Sequence, residues 1–198
     1  TIRYLVGLDL RPADDFPMDF SGTSGFSNSA NTLFLQTAHL DRYFTSAEGV
    51  IDEVRADEKA WKKLVGNSRD AATAITGMMR RAYRRPPTHA EIKEIITRYE
   101  TELGNKMPQD EALANAFKAI LVSPNFLLRV ENSVATAKDQ AVSDFDLATR
   151  LSYFLWASTP DDELLDAAAA GKLSDSADRQ TQVKRMLADP RSLSLGEI

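Results

Sequence analysis

RRAYRRPPTHAEIKEIITRYETELG, residues 80–104, holds a helix end, a hard stop and a helix start in succession. Pro86 and Pro87 donate no backbone hydrogen bond and disfavour helix in the residue before each, so the first helix is expected to stop at Arg85. Thr88 and Glu91 then make the Thr-x-x-Glu pattern of a capping box, which satisfies two orphan backbone donors reciprocally. Beyond it Ile92, Ile95, Ile96, Tyr99 and Leu103 recur at threes and fours, and Gly104 suits the C-terminal cap. Two helices set back to back across a proline pair predict a helical hairpin.

The same pattern extends both ways. Upstream, Ser68 is expected to cap the helix carrying Ala72, Ile75, Met78, Met79, Ala82 and Tyr83, and Thr37 to Ala56 reads as another, with Ala38, Leu40, Tyr43, Phe44, Ala47, Ile51 and Val54 on its apolar side. Downstream, Asp110 to Val122 carries Leu113, Phe117, Ile120 and Leu121, and Pro124 starts a short turn of helix at the position proline favours. Ser143 with Asp146 opens a helix bearing Leu147, Leu151, Phe154 and Leu155. Thr159 and Pro160 open the next, closed by Gly171, with Asp161, Asp162 and Glu163 complementing its dipole. A last helix spans Ser176–Ala188. No strand pattern of useful length interrupts them.

The fold class is therefore all-α: about six to eight short-to-medium helices in two or three small units, with a long ordered N-terminal loop at 9–34. Residues 1–66 form a small helical domain with that loop, 67–133 a central helical hairpin domain, and 142–198 the start of a third. NSVATAKDQA, 132–141, is the linker, being small, polar and aperiodic. The chain opens within an apolar helical segment and closes without a stop signal, so both ends are expected to be those of a fragment.

With 198 residues, 43% hydrophobic and 27% charged, the composition is that of a globular protein. A net charge of −5 gives no global attraction to nucleic acid or anionic membrane. No apolar run approaches the length of a membrane span, and the first residues lack the marks of a signal peptide. Zero cysteines and two histidines exclude disulfides, thiolate metal sites, covalent c-type haem and histidine-rich metal sites within these residues.

Candidate ligand-binding residues remain. Arg81, Arg84 and Arg85, with Arg80, crowd a helix end; they read either as an anion clamp, since guanidinium forks take oxyanions bidentately, or as a helix terminus paired to carboxylates such as Glu91 or Glu94. The balance falls on the structural reading. Asp19, Asn28 and Asn31 offer oxygen donors in the N-terminal loop, but calcium wants more carboxylates, and such residues more often make turns. Trp156 reads as a core anchor with a lesser role as a sugar-stacking platform. The neighbouring acid pairs Asp14–Asp15 and Asp161–Asp162 splay apart rather than facing a substrate, and no nucleophile elbow or phosphate loop is present. No catalytic residue and no metal ligand is assigned.

Three stretches together resemble a known group. TIRYLVGLDLRPADDFPMDFSGTSGFSNSANTL (1–33), MMRRAYRRPPTHAEI with AFKAILVSPNFLLRVE (78–92 and 116–131), and DLATRLSYFLWASTPDDELLDAAAAGKL with VKRMLADPRS (146–173 and 183–192) are similar to successive domains of unknown function in large multi-domain cytochrome-c-type proteins abundant in Planctomycetes. Tyr4 departs from the acidic residue usual there, Ser27 from an aspartate, and the tail after Arg191 drifts. The resemblance implies export or a periplasmic location, other domains of the same parent chain as partners, and haem c, if any, elsewhere in that chain. It makes this a non-haem scaffold or substrate-recognition region beside a redox module. The alternative is an extracellular polysaccharide- or small-ligand-binding module using the 14–31 loop with Phe20 and Phe26.

Overall fold

The computed structural model describes residues 1–14, 16, 37–66, 70–128 and 142–196. Every regular element among them is helical: ten α-helices and a closing 3-10 helix, more than the six to eight expected. The surplus lies in short pieces. α1 (Ile2–Val6) is a single turn closed by Gly7, whose φ of 82° is the left-handed cap that glycine adopts without penalty. α2 (Thr37–Ala56) runs as expected, but α3 (Glu58–Val65) follows almost at once, started by Asp57 accepting from Ala60 N–H. EKAWKKLV is too short for its periodicity to declare itself, which is why α3 is not legible in the pattern. The expected loop at 9–34 falls largely outside the described residues.

α4 (Ala71–Tyr83) is capped by Asp70, whose carboxylate accepts from Ala72 and Thr73 N–H; Ser68, the expected cap, lies outside the described residues. α4 ends at Tyr83, before the prolines, because Arg84 turns left-handed at φ 61°, ψ 20°. The Thr88–Glu91 capping box opens α5 (His89–Gly104) with both reciprocal bonds in place, and Asn105, not Gly104, is its C-terminal cap. α6 (Gln109–Leu121) and α7 (Pro124–Leu127), the latter capped by Ser123, complete this part.

α1 to α6 share one core. Phe117, Ile51, Ile75, Met78, Met79 and Ile120 are fully buried in it, contributed by α2, α4 and α6 alike. Trp61 of α3 packs edge-on against Phe117, with ring centroids 5.8 Å apart. Burial of this kind is worth about 1.5–3 kcal/mol per large side chain, far more than the helices' own propensities.

A second core is built by α8 (Asp144–Trp156), α9 (Asp162–Ala169) and α10 (Ser176–Ala188) around Leu164, Leu173, Met186 and Trp156. Ser143 and Asp146 cap α8 as expected. α9, however, is capped by Asp161 and not by Thr159. Thr159 is fully buried, its hydroxyl donating to the Arg81 carbonyl at the end of α4, 3.2 Å away. Arg80 pairs with Asp162 and Asp166 of α9, and Thr1 Oγ1 lies 3.0 Å from the Tyr153 hydroxyl. The two cores are thus fastened by polar contacts. No helix among the described residues is long and apolar enough to cross a membrane.

Candidate functional site

The arginines of the α4 end do not act together. Arg84, only 8% exposed, donates to the carbonyls of Asn125, Phe126 and Leu128 at 2.9–3.1 Å, closing the end of α7. Arg85 makes a bidentate pair with Glu91, at 2.9 and 2.7 Å, and reaches Asn125 Oδ1. The Arg85 hydrogen bonds, with help from the Thr88 N–H, hold the Glu91 carboxyl down to about 2 against the opposing effect of burial. Arg80 is committed to α9, and Arg81 is half-buried with no ion pair among the described residues. One guanidinium caps, two pair with carboxylates, and no common oxyanion focus is formed.

Trp156 sits at the centre of a different arrangement. It is 3% exposed, and its indole N–H donates to the Met186 carbonyl at 2.9 Å. The Arg191 guanidinium stacks on its ring, 3.5 Å from the centroid, and Arg185 stands at 5.6 Å. Its partners are therefore cations, the arrangement a ring quadrupole favours.

Carboxylates lock the cations in place. Asp161 accepts from Leu164 N–H as the α9 cap, from Arg185 at 2.7 and 3.0 Å, and from Arg191 at 3.2 Å. Burial alone would push its carboxyl up; the bonds from Arg185, Leu164 and Arg191 outweigh that and hold it below the usual range. Asp189 takes Arg191 Nε and Nη2 at 2.9 and 2.7 Å, and these bonds hold its carboxyl to about 2.

Beside this knot lies a cavity of about 570 Å³, lined among others by Arg3, Tyr4, Lys63, Trp156, Ser158 and Arg191. Two polar atoms of its lining residues lack a hydrogen-bond partner although shut off from solvent: Ser158 Oγ and Arg191 Nη1. An orphan of this kind costs about 1–3 kcal/mol. Ser158 is set by Ala157, whose left-handed φ of 49° turns the chain sharply at the end of α8. Tyr4 adds a hydroxyl kept protonated: burial and the Asp161 charge raise its pKa, with Arg191 pulling the other way.

Sequence reasoning missed Arg191, Asp161 as a cap, Ser158 and Tyr4, because they converge from positions 4 to 191. The one local signal was Asp161 three residues before Leu164, masked by the equally plausible Thr159–Pro160 start. Asp19, Asn28 and Asn31 lie outside the described residues. Among the described residues no cluster of three or more His, Asp or Glu side chains could hold a metal ion.

Comparison with known families finds three successive matches along the chain. Residues 1–56 match a family described as PSD3: Protein of unknown function (DUF1587), and residues 70–131 one described as PSD5: Protein of unknown function (DUF1595). Residues 142–197 match PSD4: Protein of unknown function (DUF1592). Three segments of unknown function stand in tandem. The first two contribute to the α1–α6 core, and the third builds the Trp156 core. The cavity lies where the first and third segments meet. No curated protein and no solved structure matches the chain.

Proposed function

We propose that this chain is the helical, non-haem region of an exported, cytochrome-c-associated multi-domain protein. In that setting it acts as a scaffold and substrate-recognition surface beside a redox module carried elsewhere in the same parent chain. The single observation that carries the reading is the unbroken order of three matched segments, 1–56, 70–131 and 142–197. The polar fastening between the two cores supports the scaffold part, since it sets the third segment against the first two at several separate points.

The residues present do not fit covalent haem. A c-type haem needs two thiols, and this sequence has no cysteine. Any haem would be held by other domains, with these helices orienting what reaches it. The test is on the parent protein purified from its native host. A covalent-haem mass and a Soret band are expected; a product without haem refutes the redox half, and a product recovered from the cytoplasm refutes the export.

A further inference from the structure

We infer that the third segment is a swinging unit: α8, α9, α10 and the closing turns part from α1–α7 and redock as one body, held shut by a salt-sensitive latch at Arg80. Each body is complete in itself. Every buried apolar side chain among the described residues belongs to one core or the other except Leu165, and the chain passes between the bodies once, from α7 to α8. The Asp161 knot lies wholly within the third segment, and the Arg84 bonds wholly between α4 and the α7 turn, so neither breaks when the bodies part.

The seam between the bodies is loosely packed and polar. On one side Thr149 and Tyr153 of α8 meet Arg84 and the α7 turn around a hollow of about 310 Å³, and on the other the 570 Å³ cavity stands between the end of α8 and α1 with α3. A protein core leaves no such gaps. What bridges the seam is Thr159 on the Arg81 carbonyl, Thr1 on Tyr153, Arg191 over the Tyr4 ring at 5.2 Å, and Arg80 on Asp162 and Asp166. Hydroxyls and carbonyls exchange such bonds for water at little net cost, and polar interfaces between domains allow relative motion by default. Docking also carries a standing penalty. Ser158 Oγ and Arg191 Nη1, on residues lining the seam cavity, are shut off without partners in the docked form, and parting gives them to water. Against these stand the Arg80 pairs and Leu165, fully buried on the α9 face that carries Asp162 and Asp166. The Asp162 and Asp166 side chains are 59% and 72% exposed, so added salt screens the latch directly. The motion stands whether or not a haem module accompanies the chain.

The test is single-molecule energy transfer across the seam in the intact chain. It has no native cysteine, so Lys93→Cys on α5 and Lys184→Cys on α10, both exposed, take a dye pair specifically. Two transfer efficiencies are expected, the open form being a minority of about 1–10% at low salt. Its ratio to the docked form should rise about two- to fivefold between about 0.05 and about 1 M sodium chloride. Arg80→Gln should raise the ratio by a similar factor at low salt and remove most of the salt response. Far-UV circular dichroism should stay unchanged throughout, because both cores remain folded. A single efficiency unmoved by salt and by Arg80→Gln overturns the swinging unit. So does a shift that comes with loss of helicity, which is unfolding and not parting, and a salt response undiminished in Arg80→Gln overturns the latch.

Discussion

Arg84 allows the worth of one buried cation to be separated from the strain it imposes. Its guanidinium donates to three carbonyls at 2.9–3.1 Å while its backbone sits left-handed at φ 61°. Bonds from a charged donor contribute about 1.5–3 kcal/mol each, but one group making three is not additive, and truncation also removes the cost of burying the charge. Arg84→Ala is therefore expected to lose about 3–4 kcal/mol, stranding the α7 carbonyls and keeping the backbone penalty. Arg84→Gly loses the same bonds but recovers about 1 kcal/mol of that penalty. In urea unfolding followed by far-UV circular dichroism, with a slope near 2 kcal/mol/M, the alanine midpoint should fall by about 1.5–2 M and the glycine midpoint by about 0.5 M less. An alanine variant within about 0.5 kcal/mol of wild type would show that water replaces the guanidinium at no cost. A glycine variant no better than alanine would refute the strain.

Three further outcomes follow from the same contacts. Glu91 has a folded pKa of about 2 against an ordinary value of 4.5, so its contribution is full above about pH 5 and is lost as pH falls towards 2. After discounting for solvent screening this amounts to about 1–2 kcal/mol, and the stability gap between wild type and Glu91→Gln should stay constant above about pH 5 and narrow steadily from there towards about pH 2 in thermal melts. Thr159→Val removes a buried donor to the Arg81 carbonyl; a loss of about 1–2 kcal/mol is expected, with faster amide exchange at the α4 end, and unchanged exchange there would argue against the fastening. Phe117→Ala should cost about 3–5 kcal/mol, because the ring is fully buried against Trp61, and a cost under about 1 kcal/mol would mean that the core collapses around the gap.

What could be read in the sequence was whatever depends on near neighbours. The Thr88–Glu91 box, the Ser143 cap and the Pro124 start involve residues within three or four of each other, and all three appear where the pattern puts them. The α9 start was misread because two caps were available, and the choice was settled from afar: Thr159 is drawn to the Arg81 carbonyl, leaving Asp161 the cap. The end of α4 came two residues early for a similar reason, the left-handed turn letting Arg84 reach α7. Trp156 announced a buried aromatic but not what would lie on it, since Arg191 arrives from the far side of α9 and α10. The cavity was invisible for the same reason, being made by residues brought together from α1, α3, α8 and the chain's last turns.

The Asp161 knot also bears on how the chain assembles. Its carboxylate joins residues 161, 164, 185 and 191, all within the third segment, so that segment can complete its own ion pairs as soon as its last turns are available. The Thr1–Tyr153 contact, by contrast, joins residues 152 positions apart and must wait. Contacts of low sequence separation form fast, and segments emerging from a ribosome fold in order. Synthesis would therefore deliver two finished helical blocks before the cavity exists, and the cavity is closed only by their docking.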